Sequence, residues 1–266
     1  MEQLTRLKLI MANLRGENGC NWDKKQTHES LIPFLLEETY EVVDAIYKKD
    51  FLHLKEELGD LLFNIYFQAR IAEEEKHFSI NDVAKEVSDK LVRRHPHVFE
   101  TKKNISPEEV RKNWEAIKKE EKKAKKTDQA LLLDAVPSTF PSLLLAEKLQ
   151  EKASHVGFDW SDISGPEEKL KEELEELQVE LKNYKETGTG QNKLEDEFGD
   201  VLFSLVNLAR FCKISPEKAL LGACKKFRDR FNYIEEQSQQ MNQSLEEMSL
   251  EEMDKLWNEA KKKGIA

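Results

Sequence analysis

The sequence predicts an all-α protein built from two copies of one helical bundle. Three observations carry that reading. Apolar residues recur at helical spacing, and no segment alternates as a half-buried strand would. Composition agrees: of 266 residues 35% are charged and 39% hydrophobic, with only ten glycines, the balance of a Leu-, Glu- and Lys-rich helical chain. Finally, landmarks recur in the same order in both halves. Leu36-Glu37-Glu38-Thr39-Tyr40-Glu41 returns in variant form as Lys171-Glu172-Glu173-Leu174-Glu175-Glu176, and Glu56-Glu57-Leu58-Gly59-Asp60-Leu61-Leu62-Phe63 as Asp196-Glu197-Phe198-Gly199-Asp200-Val201-Leu202-Phe203. Lys90-Leu91-Val92-Arg93-Arg94 then matches Lys226-Phe227-Arg228-Asp229-Arg230, and Trp114-Glu115-Ala116-Ile117 matches Trp257-Asn258-Glu259-Ala260.

In the first copy, Leu4, Leu7, Ile10, Met11 and Leu14 mark an amphipathic helix. A second runs from Leu31 to Tyr47 with Pro33 in its first turns, where proline is tolerated. Asp50 caps a long helix through Glu75, and Ser79 caps the next, which His95-Pro96 ends. Ser106-Pro107-Glu108-Glu109 is a capping box with proline at the first helical position. The second copy repeats this grammar at Ser215-Pro216 and at Ser249-Leu250-Glu251-Glu252. Between the copies, a run of lysines and glutamates from Lys118 is too polar to bury a face. The expected division is residues 1–125, a charged linker at 126–134, and residues 135–266.

Charge and cysteine content narrow the function. A net charge of −10 argues against broad nucleic-acid binding but leaves room for a local basic pocket. No apolar run reaches the ~18 residues of a membrane span, and the charged start lacks a signal-peptide core. Three cysteines at unrelated spacings read as reduced, cytosolic thiols.

The chemistry centres on two acidic pairs, Glu173 with Glu176 and Glu197 with Asp200. Residues at i,i+3 share a helix face, with Cβ atoms roughly 5–6 Å apart. Thr187-Gly188-Thr189-Gly190 lets the two helices fold back antiparallel, so that four carboxylates converge on one seam. Such a cluster calls for a neutralising cation, and a hard divalent ion takes oxygen ligands. Neither pair carries a histidine in register, which favours Mg2+, with Mn2+ as a substitute, over zinc or iron. Glu167, Glu168, Glu175 and Glu180 read as ordinary solvated acids.

Lys169 and Lys193 each precede a quartet acid by four, and Lys226 with Arg230 form a third i,i+4 set. Cations around a metal point to a polyanionic ligand such as a metal-bound triphosphate. Gly59 and Gly199 sit in mid-helix, where glycine costs about 1 kcal/mol against alanine. Two explanations stand there, a tight helix crossing or close approach of a ligand. Trp257 has two as well, packing on a base or ribose, or burial in the core.

Glu-x-x-Glu followed by Glu-x-x-Asp, in tandem, resembles the MazG nucleoside triphosphate pyrophosphohydrolases. Asn21-Trp22-Asp23-Lys24-Lys25-Gln26-Thr27, Arg93-Arg94-His95-Pro96-His97-Val98-Phe99 and Val156-Gly157-Phe158-Asp159-Trp160 are similar to stretches of that family's two-domain members. The likeness spans nearly the whole chain. It implies the all-α NTP pyrophosphatase fold, a homodimer, and hydrolysis of nucleoside triphosphates to NMP and diphosphate. It also implies Mg2+ on Glu173, Glu176, Glu197 and Asp200, and nucleotide contacts from Lys169, Lys193, Lys226, Arg230 and Trp257.

The expected chemistry is water attack at the α-phosphorus, with Glu172 or Glu173 orienting or deprotonating that water. The alternative is a nucleotide- and metal-binding regulator or scaffold without turnover. The first copy keeps Glu38, Glu41, Glu57 and Asp60 as a second, degenerate metal site, but has Phe34 and His53 where the second has Lys169 and Lys193. The working site is therefore expected in residues 135–266.

Overall fold

A computed structural model describes residues 2–101, 103–124 and 131–265. Every regular element among the described residues is helical. The chain divides into two compact units, Met1–Lys126 and Thr127–Ala266. Of the expected linker, residues 126–130 lie outside the described residues; Leu132–Ala135 form a 3-10 turn that packs on the first helix of the second unit.

The first unit holds α1 (Glu2–Leu14), α2 (Asn21–Lys25), α3 (Ile32–Lys48), α4 (Phe51–Glu74), α5 (Ile80–Arg94), α6 (Pro96–Phe99) and α7 (Pro107–Ala124). Asp50 caps α4 as its sequence position predicts, its carboxylate accepting from Leu52 N and His53 N at 3.1 Å. Helices α3 and α4 form an antiparallel hairpin. Met11 of α1 meets Leu31, Phe67 and Ile71 in a buried cluster, supported by Leu14, Phe63 and Tyr66. Arg15 fastens this core: its guanidinium lies over the Phe67 ring at 5.4 Å and donates to Glu74 Oε2 at 2.8 Å.

The second unit contains α8 (Ser142–Ser154), α9 (Ser164–Thr187), α10 (Gln191–Phe211), α11 (Pro216–Gln240) and α12 (Leu250–Lys262). Helices α9 and α10 form the predicted hairpin. Gly188 and Gly190 adopt φ of 67° and 89°, a region only glycine visits at little cost. Helix α8, absent from the sequence expectation, packs on α10 and α11; Gln150 Nε2 donates to the Phe203 carbonyl at 2.9 Å. Leu177, Val206, Tyr233, Ile234 and Ala260 are buried here.

The two mid-helix glycines do not mark a tight helix crossing within the chain. A Cβ built on Gly59 or Gly199 meets nothing within 4 Å. Neither a tight crossing nor a close side chain within the described chain requires glycine there.

Candidate active site

In the second unit the hairpin turn sets α9 against α10 so that their acidic faces meet. Ligand oxygens of Glu173, Glu176 and Glu197 lie within 4.8 Å of one another. Asp200 stands outside this triad, exposed, yet near enough to act on Glu197 through its charge. Glu173 is buried, at 5% exposure. Glu197 Oε2 is shut off from solvent and has no hydrogen-bond partner. An orphaned buried carboxylate oxygen in an all-oxygen cluster fits a hard divalent cation.

Electrostatics agree with the geometry. Burial, reinforced by Glu176, Asp200 and Glu173, pushes the Glu197 carboxyl above its ordinary range. Glu180, read from sequence as a solvated acid, is half-buried and adds to the same field. Its i,i+4 relation to Glu176 was the available signal.

The cations divide into two groups. Lys169 Nζ lies 2.7 Å from Glu173 Oε1 and 2.9 Å from Glu172 Oε1, so it rests on the acids themselves. These hydrogen bonds, first to Glu173 and then to Glu172, raise its pKa. Lys193 and Lys226 are exposed, and each is free of hydrogen bonds and ion pairs among the described residues. Arg230 lies over the Trp257 ring at 5.5 Å, and its Nε donates to the Ile265 carbonyl at 3.1 Å. Trp257 is half-buried, with Phe227 tilted against it at 5.3 Å. Among the described residues no hydrogen bond, ion pair or ring contact joins Lys226, Arg230 or Trp257 to the acidic triad. Lys169 touches the acids directly, whereas Arg230 and Trp257 contact each other.

The first unit repeats the acids. Glu38, Glu57 and Asp60 bring ligand oxygens within 4.8 Å, and Glu38 Oε2 is another buried, unpartnered oxygen. Burial, then Asp60, Glu41 and Glu57, raise the Glu38 carboxyl to about 7. Burial and Glu41 raise Glu57, against the opposing effect of His53. The surrounding cations differ. Phe34 meets Trp22 edge-on at 5.9 Å instead of offering an ammonium. Arg94 Nη2 donates to Glu121 Oε2 at 2.6 Å, and Arg93 Nη2 lies 2.7 Å from Glu121 Oε1. Those guanidiniums, Arg94 foremost, hold the Glu121 carboxyl down at about 2. The counterpart of Arg230 is thus already spent on a carboxylate of its own unit, a contact with no signal in the sequence repeat.

The raised carboxyls yield a pH prediction. Between about 4.5 and about 7 the folded chain holds a proton on Glu38 that the unfolded chain has lost. Stability from this group is therefore full at low pH and is lost as pH rises through that window. A divalent cation held there would remove the penalty by neutralising the ionised acids. Mg2+ should raise the melting temperature more at pH 7.5 than at pH 5, measured by calorimetry against EDTA-treated protein. Equal stabilisation at both pH values would refute this.

The MazG nucleotide pyrophosphohydrolase domain model matches the chain twice, over residues 26–99 and 166–234. The nucleoside triphosphate pyrophosphohydrolase/pyrophosphatase MazG of Thermotoga maritima is 46% identical over 252 residues, 95% of this chain and 93% of its own length. The nucleoside triphosphate pyrophosphohydrolase of Escherichia coli K12 is 43% identical over 266 residues, covering 100% of this chain and 99% of that one. The crystal structure of a mazG-related protein from Thermotoga maritima is similar over 45% of this chain and 99% of its own, at 33% identity and a TM-score of 0.39. With its acidic helix pair present in both matched segments, the chain belongs to the MazG nucleotide pyrophosphohydrolase family.

Proposed function

We propose that the protein is a Mg2+-dependent nucleoside triphosphate pyrophosphohydrolase whose working site lies on α9 and α10. The observation that carries this is the solvent-shielded, unpartnered Glu197 Oε2 beside Glu173 and Glu176, with Lys169 resting on Glu173. Glu173, Glu176, Glu197 and Asp200 would hold the ion. Mg2+ supplies charge for the phosphate oxygens and lowers the pKa of bound water. Lys169 shifts from the acids to the phosphates as substrate enters, and Lys193, Lys226 and Arg230 neutralise the diphosphate end. Glu172 stays exposed outside the triad and takes the proton of the attacking water. The bond from the α-phosphorus to its β-bridging oxygen breaks, giving NMP and diphosphate. Trp257, with one face toward Arg230, stacks on the base or ribose.

A homodimer completes this reading. Leu58 and Ile65 on α4, and Phe198, Leu202 and Leu205 on α10, form exposed apolar stripes at helical spacing in both units. Phe51 in the first unit, at 79%, and Phe158 in the second, at 82% exposure, are further exposed aromatics, and exposed apolar patches mark interfaces. No helix among the described residues is long and apolar enough to cross a membrane. The three free, exposed cysteines suit a reducing cytosol.

Product identification tests the function. Incubation with mixed nucleoside triphosphates and Mg2+ should give NMP and diphosphate in equal amounts. Activity should vanish with EDTA and return with Mg2+ or Mn2+. Formation of NDP and orthophosphate, binding without turnover, or full activity in EDTA would overturn it.

A further inference from the structure

Helix α4 carries a second group of potential metal ligands for which α10 has no counterpart. His53, Glu56 and Glu57 place one ligand atom each within 4.8 Å of one another. His53 Nδ1 lies 3.0 Å from Glu57 Oε1. Donors on a tetrahedral zinc ion with bonds of about 2.0–2.1 Å stand about 3.3–3.4 Å apart, so a small outward shift brings this pair to ligand spacing. Glu57 is itself 6% exposed and also belongs to the Glu38–Glu57–Asp60 group. The far wall of that group is the Glu38 Oε2 oxygen, closed to solvent and without any donor. In the second unit the residue at the His53 position is Lys193, whose ammonium repels a cation instead of ligating it.

We propose that the first unit binds a late first-row divalent ion, of the Zn2+ or Co2+ class, through the His53 imidazole and the Glu56 and Glu57 carboxylates. Imidazole favours such ions, whereas Mg2+ prefers oxygen throughout. Phe34 and the Glu121-bound Arg94 leave no free cations for a triphosphate at those positions. The proposed metal site thus stands apart from any triphosphate site. It does not rest on nucleotide hydrolysis, and its test reads metal directly.

The full-length protein is dialysed against Zn2+ in large molar excess of Mg2+ and the retained zinc measured. Co2+ visible absorption serves as a second readout. The wild type should retain one Zn2+ per chain, and His53→Asn should weaken retention at least about 10-fold. Glu56→Gln, at an exposed position, should weaken it also without a folding defect. His77→Asn, which alters a different histidine–glutamate pair, should change nothing. No zinc held against excess Mg2+, or equal retention by wild type and His53→Asn, would leave His53 and Glu57 as a plain hydrogen-bonded pair and overturn the proposal. So would loss on His77→Asn alone.

Discussion

Glu197→Gln and Asp200→Asn should each reduce turnover at least about 100-fold, while Glu57→Gln and Asp60→Asn leave most of it. Even residues that merely orient metal ligands cost about 10–100-fold when lost, so a direct ligand should cost more. Counting acids would predict equal effects, because both units gather a carboxylate triad. The cations break the symmetry. The second unit offers Lys169 and Lys193, whereas the first offers Phe34 and His53 and ties Arg94 to Glu121. A charge-assisted contact to phosphate is worth about 1.5–3 kcal/mol. Two such contacts amount to about 10²–10⁴-fold in transition-state binding. Steady-state turnover of the four variants, with circular dichroism as a folding control, decides the matter. If folded Glu57→Gln loses as much activity as Glu197→Gln, the two units are both catalytic or share a site.

Lys169→Met should produce the second large effect, a fall in kcat/KM of about 10–100-fold from the loss of one charged phosphate contact. The same variant should lower the stability of metal-free protein, because Glu173 keeps its burial and loses the ammonium at 2.7 Å. A carboxylate deprived of its partner in that way costs about 1–3 kcal/mol. Mg2+ should recover the stability but not kcat/KM, since the ion neutralises Glu173 without restoring the phosphate contact. Lys169→Arg should keep a large part of both. A Lys169→Met enzyme with unchanged kcat/KM would place the lysine in a purely structural role.

The sequence by itself determined the helical class, the duplication and most helix boundaries. Those features depend on local rules: 3.6-residue periodicity, a capping Asp50 or Ser215, a proline at a first turn, and a Gly-Thr-Gly hairpin link. It also located the acids, because i,i+3 spacing on a helix fixes a shared face whatever the helix packs against. Helix α8 escaped because its burial depends on α10 and α11, which lie far along the chain.

Only the tertiary structure decided which charges meet. Lys169 proved to rest on Glu173 and Glu172, Glu180 joined the field at Glu197, and Glu121 reached back across 27 residues to occupy Arg94. Gly59 and Gly199, for which a tight helix crossing was one of two sequence explanations, stand open within the described chain. Long charged side chains have several rotamers of similar energy, and the partner within reach selects among them. Helix register is written in adjacent residues, but that partner is brought up only when distant helices pack.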